Sequence, residues 1–179
     1  MDISILLLIL AILGASVAIG SIVLWSIWNG IAPMPSSYKA QRKIEELLPR
    51  LVQGPIYELG SGWGTLAFLL AKRYPHQPVI GYETSPIPFW ISRILLKFKY
   101  LHNLTLKRKD FFEVPLNDAS LVVCYLYPGA MHRLKVKFER ELQPGTWILS
   151  NTFAIPGWTP VQMAVVEDLY RTKIYLYRI

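Results

Sequence analysis

One glycine-rich turn restricts the possible folds of this chain more than any other feature. Residues 57–64 read Tyr-Glu-Leu-Gly-Ser-Gly-Trp-Gly, after a short apolar run at 56–59 and before a helical pattern at 65–73. A strand, a glycine-rich turn and a helix in this order form the ligand-binding edge of many α/β sheets, because the helix N-terminus and the bare backbone face the ligand. The turn therefore predicts a nucleotide-type cofactor site, with a chance glycine-rich connection as the alternative.

The spacing of the glycines separates the possible cofactors. Glu58 comes first, and Gly60, Gly62 and Gly64 follow at every second position. A dinucleotide fingerprint needs its third glycine at position 65, which is Thr65, and the Gly-Lys-Ser/Thr of a P-loop is absent. The loop also has no Lys or Arg for a pyrophosphate. An acid at its entrance favours a ligand with an amino group and a positive centre, and S-adenosylmethionine (SAM) is such a ligand.

The first 29 residues are predicted to form a membrane anchor. The run at 3–28 has no charged residue, and about 20 apolar residues suffice to cross a bilayer core. Trp25 and Trp28 stand at its far end, where indole rings favour the membrane interface. A cleaved signal peptide would have a basic N-terminal region and a shorter apolar core. Only Met1 and Asp2 precede this run, which favours an uncleaved span.

The charge distribution predicts the orientation of the span and the partners of the domain. All 19 Lys and Arg residues lie at or after Lys39, and Asp2 is the one charged residue before it. The positive-inside tendency therefore predicts a single-pass membrane protein with a cytoplasmic C-terminal domain. The net charge of +7 favours anionic partners, which are lipid head groups, nucleic acid or an acidic protein, and the lipid bilayer is the expected partner of the anchored chain. Nucleic acid is not expected, because the anchor would hold the domain at a membrane.

Residues 30–37 are predicted to form a linker to a domain at 38–179, because they contain Gly30, Pro33 and Pro35. Ser36 or Ser37 can cap the helix predicted at 38–51. The apolar positions 44, 47, 48 and 51 of this helix form one stripe. Its opposite, basic face is either solvated or in contact with anionic lipid.

From residue 54 onwards the chain alternates strands and helices. Strands are predicted at 56–59, 79–82, 104–107, 120–125, 147–151, 161–167 and 173–178, and helices at 65–73, 86–99 and 130–142. The helix at 86–99 carries apolar residues at 89, 94, 95 and 98. Alternation followed by a hairpin with its turn at 168–172 predicts an α/β fold, with a mostly parallel sheet and an antiparallel C-terminal edge.

The remaining reactive side chains predict neither a disulfide nor a metal site. Cys124 is the one cysteine and lies in an apolar run, so it is predicted to be a small buried side chain. His76, His102 and His132 are scattered along the chain, without metal-ligand spacing.

Further candidate site residues follow the predicted strands. Glu83, at the end of the second strand, can accept hydrogen bonds from the ribose hydroxyls of an adenosyl group. Asp110 and Phe111 follow the third strand and could supply an acceptor and an apolar wall for adenine. Tyr125, Leu126, Tyr127 and Pro128 follow the fourth strand. Their aromatic rings and carbonyl groups could hold a substrate amine.

Taken together, the motifs at 58–64, Gly81-Tyr82-Glu83 and Lys109-Asp110-Phe111 resemble class I SAM-dependent methyltransferases. The span, the Pro-x-Pro-Ser-Ser at 33–37, the Tyr-Leu-Tyr-Pro at 125–128 and the Pro-Gly-Trp-Thr-Pro at 156–160 add a closer resemblance. They are similar to the membrane-anchored protein-lysine methyltransferases of the ATP synthase c subunit or adenine nucleotide translocase. Without an Arg-rich presequence, the chain resembles a prokaryotic relative.

This resemblance implies a seven-stranded Rossmann-like sheet, SAM as methyl donor and a lysine acceptor. The predicted cofactor residues are Glu58, Gly60, Ser61, Gly62, Gly64, Glu83, Thr84, Asp110 and Phe111, and the predicted catalytic residues are Tyr125, Tyr127 and Pro128. No metal is expected. The expected function is methylation of lysine in a membrane or membrane-proximal protein. The alternatives are a lipid, quinone or small-molecule acceptor, a non-catalytic membrane adaptor, a nucleic-acid methyltransferase disfavoured by the anchor, and a nicotinamide reductase disfavoured by the glycine spacing.

Overall fold

The computed structural model describes residues 2–30 and 33–179, and its first element is helix α1, Ile3–Asn29. The Asp2 carboxylate accepts a hydrogen bond from the Ser4 N–H at 3.1 Å, and Gly30 ends the helix at φ 71°. Among the described residues, α1 is the one helix that is long and apolar enough to cross a membrane, judged by length and composition alone. The Trp28 side chain and linker positions 31 and 32 lie outside the described residues.

Helix α2, Tyr38–Leu47, begins where it was predicted and ends earlier. Its N-cap is Ser37, whose side chain accepts from the Ala40 N–H at 3.2 Å. The predicted end at residue 51 is wrong, because the residue before Pro49 is forced out of the helical conformation and Leu48 adopts ψ 136°. Leu51 is consequently 81% exposed instead of completing the apolar stripe.

The domain is an α/β sheet of seven strands, as predicted. The strands are β1 Ile56–Leu59, β2 Val79–Glu83, β3 Leu104–Arg108, β4 Leu121–Cys124, β5 Trp147–Asn151, β6 Gln162–Val165 and β7 Lys173–Arg178. The helices that connect them are α3 Thr65–Arg73, α4 Pro86–Lys97 and α5 Pro128–Glu141. The strand order is β3-β2-β1-β4-β5-β7-β6. The first five strands are parallel, β7 is antiparallel to β5, and β6 and β7 form the C-terminal antiparallel edge.

The order of the strands reverses at β1, which positions the candidate site. The chain runs outward from β1 through β2 to β3, and then returns to the other side of β1 as β4. In the register, Leu59 at the end of β1 pairs with Tyr82 of β2 and Cys124 of β4. Ligands of open α/β sheets bind in the crevice at the carboxyl ends of the strands at such a point.

Several predicted boundaries shift by one or two residues. Helix α5 begins at Pro128 instead of residue 130, because proline fits the first turn of a helix, where its missing N–H is not needed. A short 3₁₀ helix, Phe111–Glu113, follows β3 and was not predicted. Cys124 is buried, as predicted, and burial raises the pKa of its thiol to about 12.

A buried ion pair on the inner face of α5, between Lys137 and Glu141, is expected to contribute strongly to the stability of the domain. The Lys137 ammonium donates to Glu141 Oε2 at 2.7 Å, and the Leu116 N–H donates to the same oxygen at 3.2 Å. The two charged side chains are 6% and 11% exposed. Glu141→Ala leaves the Lys137 charge and the Leu116 N–H without this partner. We therefore expect the free energy of unfolding to fall by about 3 kcal/mol, measured by denaturant unfolding in detergent.

Glu46→Ala is the matched control, because it breaks an exposed pair with Lys43 on α2. Exposed pairs of this kind contribute little, so a loss of less than about 1 kcal/mol is expected. Equal losses in the Glu46 and Glu141 variants would contradict the importance of the buried pair.

Candidate active site

A cleft lies at the carboxyl edge of the sheet, beside the ends of β1, β2 and β4. The structure brings ten of the predicted site residues together in its wall: Glu58, Gly60, Ser61, Gly62, Glu83, Thr84, Asp110, Phe111, Tyr125 and Tyr127. Gly64 and Pro128 do not line the cleft. Gly64 caps α3, and Pro128 is exposed in the first turn of α5.

The three glycines of the loop all have positive φ angles of 51–81°, but their surroundings differ. A Cβ on Gly60 would lie 2.8 Å from Leu126 Cδ2, so this glycine lets the loop pack against the segment after β4. A Cβ on Gly62 would meet nothing within 4 Å among the described residues, so the loop presents bare backbone at this position. Gly64 packs closely against Phe68 and Ser92.

The N-terminus of α3 opens into the same cleft. Thr65 and Leu66 line the wall, and Gly64 provides the N-cap conformation without a side-chain hydrogen bond. The first backbone N–H groups of a helix have no partners within the helix, and the helix dipole makes this end positive. The cleft therefore combines backbone donors from α3 with carboxylates from the strand ends.

Glu83 holds the glycine loop in place. Its Oε2 accepts from the Gly62 N–H at 2.7 Å, and its Oε1 accepts from the Ser85 N–H, also at 2.7 Å. The residue is 7% exposed and lines the cleft. Because a carboxylate oxygen can accept more than one hydrogen bond, Glu83 keeps acceptor capacity for a ligand hydroxyl.

Glu58 is a buried acid of the cleft whose pKa is strongly raised. It is 3% exposed, and its Oε2 has no hydrogen-bond partner in the part of the chain that the structure describes. Burial, followed by the nearby charge of Glu83, raises the pKa of Glu58 well above its usual value, against a backbone hydrogen bond from Ala67. The buried Ser61 Oγ likewise lacks a partner among the described residues. Both atoms belong to residues of the cleft wall and suit a ligand with an ammonium group.

The part of the cleft wall that follows β3 is aromatic. Asp110 caps the 3₁₀ helix by accepting from the Phe112 N–H at 2.9 Å, and Phe111 is buried beside the Phe112 ring. The Arg133 guanidinium of α5 lies over the Phe112 ring, 3.7 Å from its centroid. Phe112 and Arg133 both line the cleft and were missed from the sequence. The position of Phe112 beside Asp110 is a signal that could have found it.

The segment assigned to the linker also forms part of the wall, at residues 33–36. The Trp63 indole N–H donates to the Pro33 carbonyl oxygen. The Gln41 side-chain amide donates to the Ser36 carbonyl oxygen at 2.8 Å, and the Asn151 amide donates to the Ser36 Oγ at 3.3 Å. These contacts attach the segment to the glycine loop, to α2 and to β5. The Gly and Pro content of the segment predicted a linker. Its contacts to the cleft and the sheet are made by residues outside the segment, so its own composition gives no sign of them.

The strand order, the glycine loop and the two buried acids define a Rossmann-like, SAM-dependent methyltransferase domain. The family model of the ANTKMT methyltransferase domain matches residues 58–162, and the chain belongs to this family. The predicted family resemblance and the predicted cofactor, SAM, are thereby confirmed.

Proteins with similar sequences are lysine methyltransferases. A protein-lysine N-methyltransferase of Saccharolobus islandicus is 30% identical over 147 residues, which are 80% of this chain and 91% of that protein. The lysine N-methyltransferase of the ATP synthase c subunit from Rattus norvegicus is 30% identical, covering 71% of this chain and 59% of its own. The adenine nucleotide translocase lysine N-methyltransferase of Mus musculus is 32% identical, with 71% and 56% covered. The chain thus spans less than two thirds of these mammalian relatives.

Solved structures show the same fold at lower identity. An RNA methyltransferase from Salinibacter ruber, in complex with S-adenosyl-L-homocysteine, has a TM-score of 0.68 and 23% identity, covering 82% of this chain and 94% of that one. A precorrin-6y C5,15-methyltransferase from Geobacter metallireducens has a TM-score of 0.60 and 16% identity, covering 80% and 90%. These likenesses concern the fold alone.

Gly60→Ala is expected to weaken SAM binding, measured by titration calorimetry. The added Cβ would press on Leu126 Cδ2 at 2.8 Å and would also strain a backbone with φ 78°, so the loop must move. Gly145→Ala is the matched control, because Gly145 has φ 95° and open space around its Cβ among the described residues, and it does not line the cleft. Equal SAM affinities in the two variants would remove Gly60 from the binding site.

Proposed function

We propose that this chain transfers a methyl group from SAM to a lysine side chain of a membrane or membrane-proximal protein. The observation that carries the proposal is the cleft itself, whose wall contains Tyr125 and Tyr127 together with the glycine loop and the buried acids Glu58 and Glu83. The names of the relatives support lysine as the acceptor, and two of them are named for the ATP synthase c subunit and adenine nucleotide translocase.

In this proposal the carboxyl edge of the sheet binds the cofactor along its length. Glu58, Ser61 and the bare edge at Gly62 hold the methionine end, since the buried Glu58 Oε2 and Ser61 Oγ have no partner among residues 2–30 and 33–179 and need donors. Glu83 accepts from the ribose hydroxyls, and Asp110 with Phe111 binds adenine. Bound SAM supplies an activated methyl group, so the protein has to position the acceptor and keep its amine neutral.

The segment after β4 is proposed to bind the acceptor. The Tyr125 and Tyr127 side chains can surround an alkylammonium or amine group through their ring faces, and their carbonyl groups can accept its N–H hydrogens. A neutral lysine nitrogen would take up the methyl group that SAM supplies. The electron pair of the broken carbon–sulfur bond would stay on the sulfur of S-adenosylhomocysteine, and the methylated ammonium group would release its proton to water. Desolvation in an aromatic cleft favours the neutral amine that this step requires.

Helix α1 is proposed to anchor the domain at the cytoplasmic face of a membrane. Its length and composition suit a span, and the basic residues that follow from Lys39 onwards suit the cytoplasmic side. A Cβ on Gly30, at the end of the helix, would lie 3.0 Å from the Tyr127 ring. The anchor therefore ends beside the residues proposed to bind the acceptor, which would limit the search for substrates to the membrane surface.

Labelling of a membrane fraction tests the acceptor. Full-length protein and SAM with a labelled methyl group are added to membranes from cells that lack this protein. Label is expected in protein, and acid hydrolysis should release it as methyllysine. Label found in the lipid extract instead would show a lipid or quinone acceptor and overturn the lysine proposal.

Tyr125→Ala provides the matched variant for this assay. It should lower methyl transfer by about tenfold or more and leave SAM affinity unchanged, because the residue is proposed to position only the acceptor. Tyr170→Ala is the control, since Tyr170 is 85% exposed and does not line the cleft. Unchanged transfer in the Tyr125 variant would remove this residue from the acceptor site.

The raised pKa of Glu58 predicts that SAM binding depends on pH. Burial and Glu83 keep the carboxyl group protonated in the empty cleft to a pH above the usual range. A cationic ligand favours the carboxylate, so binding releases a proton, and the affinity should rise as the pH rises from the usual glutamate pKa through the raised pKa of Glu58. In Glu58→Gln the affinity should be lower and nearly independent of pH in calorimetric titrations. The same pH dependence in both proteins would exclude Glu58 as its source.

A further inference from the structure

We propose that α4 is a second membrane contact, lying in the head-group interface beside the anchor. The inference rests on the proposed anchoring by α1 and adds a surface to it. Five large apolar side chains of α4 and its C-cap are between 40% and 75% exposed: Trp90, Ile91, Ile94, Leu95 and Phe98. An apolar surface of this kind on a domain marks an interaction site.

The exposed residues form one face of the helix. They are spaced by one, three and four positions, which places them on a single continuous stripe. The opposite face carries Pro88, Phe89 and Ser92, which are buried against the domain. Helix α4 is thus apolar on the side that points away from the core, so the core does not account for its composition.

The anchor contacts this helix directly. Most of α1 is exposed, but Ala18, Ser21, Ile22, Trp25 and Ser26 are partly covered, all in its C-terminal half. Helix α1 packs against α4. A span of 25 residues is about 37 Å long, and the apolar core of a bilayer is about 30 Å thick. The C-terminal end of α1 therefore reaches the head groups, and α4 lies near the same depth.

Charge along the helix selects lipid as the occupant of the stripe. Arg93 and Lys97 lie along one edge of it, Lys99 follows the helix, and α4 contains no acidic residue. The Arg93 guanidinium lies 5.6 Å from the centroid of the Trp90 ring, which joins the charge to the apolar face. An apolar face with Trp and with flanking basic residues is typical of helices that lie in the interface of anionic membranes.

A second copy of the chain fits the stripe less well. A twofold contact is made by the same surface on both copies, so it would bring the basic edges of two α4 helices close together. Like charges close together oppose such a contact. Anionic head groups would neutralise the same residues.

This placement narrows the class of acceptor. Helix α4 begins at Pro86, three residues after Glu83 at the cleft wall. A bilayer that covers the stripe would hold the cleft close to the membrane surface. The acceptor lysines within reach would then be those near the head groups, in short loops or at the ends of spans.

Spin labels on the full chain test the proposal in vesicles of phosphatidylcholine with phosphatidylglycerol. The native Cys124 is fully buried, so a cysteine introduced at an exposed position takes the label. In Ile94→Cys, the label is expected to collide several-fold more often with oxygen, which concentrates in lipid, than with a water-soluble nickel chelate. Gln143→Cys is the matched control, because Gln143 is exposed in the turn after α5, and the opposite ratio is expected there.

Ile12→Cys, in the middle of α1, separates this proposal from the anchoring on which it rests. If the label at position 12 lies in lipid and the label at 94 lies in water, α4 is not a membrane contact, although the anchor stands. If both labels lie in water, the anchoring itself fails. Dipolar broadening between labels at position 94 would show a second copy on the stripe and overturn the proposal.

Discussion

The carboxylate of Glu83 holds together the three parts of the molecule that shape the cleft. It stands at the end of β2 and accepts hydrogen bonds from Gly62 in the loop after β1 and from Ser85 at the start of α4, both at 2.7 Å. Charge-assisted hydrogen bonds of this length are among the stronger ones in proteins. The parallel register makes them possible, because Tyr82 pairs with Leu59 and so brings Glu83 level with the loop. The two hydrogen bonds thus connect the loop before α3 and the N-cap of α4 to the end of β2.

The cleft and helices α1 and α4 are parts of one arrangement. The segment at 33–36 connects α1 to the domain and at the same time forms a wall of the cleft, through Trp63 and Ser36. Gly30 lies against the Tyr127 ring, and α1 packs on α4. A basic domain with two buried acids in its cleft thus joins an electrostatic preference for cationic ligands to a surface suited to anionic lipid.

Much of the cleft was predictable because a parallel sheet places the ends of its strands at one edge. Glu58 lies one residue before the end of the first predicted strand, and Glu83 and Asp110 follow the next two, so their convergence required only the strand pattern and the rule for open α/β sheets. The errors were local or depended on packing. The end of α2 was misplaced because apolar spacing outweighed Pro49, whose ring excludes the helical conformation from the residue before it.

The sequence by itself determined the class of fold, the cofactor loop and the apolar helix at the start, because local periodicity, glycine spacing and a long uncharged run are properties of neighbouring residues. The tertiary structure alone decided which side chains meet across the sheet. A side chain at Gly60 would collide with Leu126, which lies 66 positions further along the chain, and not with a neighbour in its own loop. Ile94 and Phe98 look like core residues by composition but face outwards. Burial depends on the other elements that surround a helix, and no pattern within the helix records which of its faces they cover.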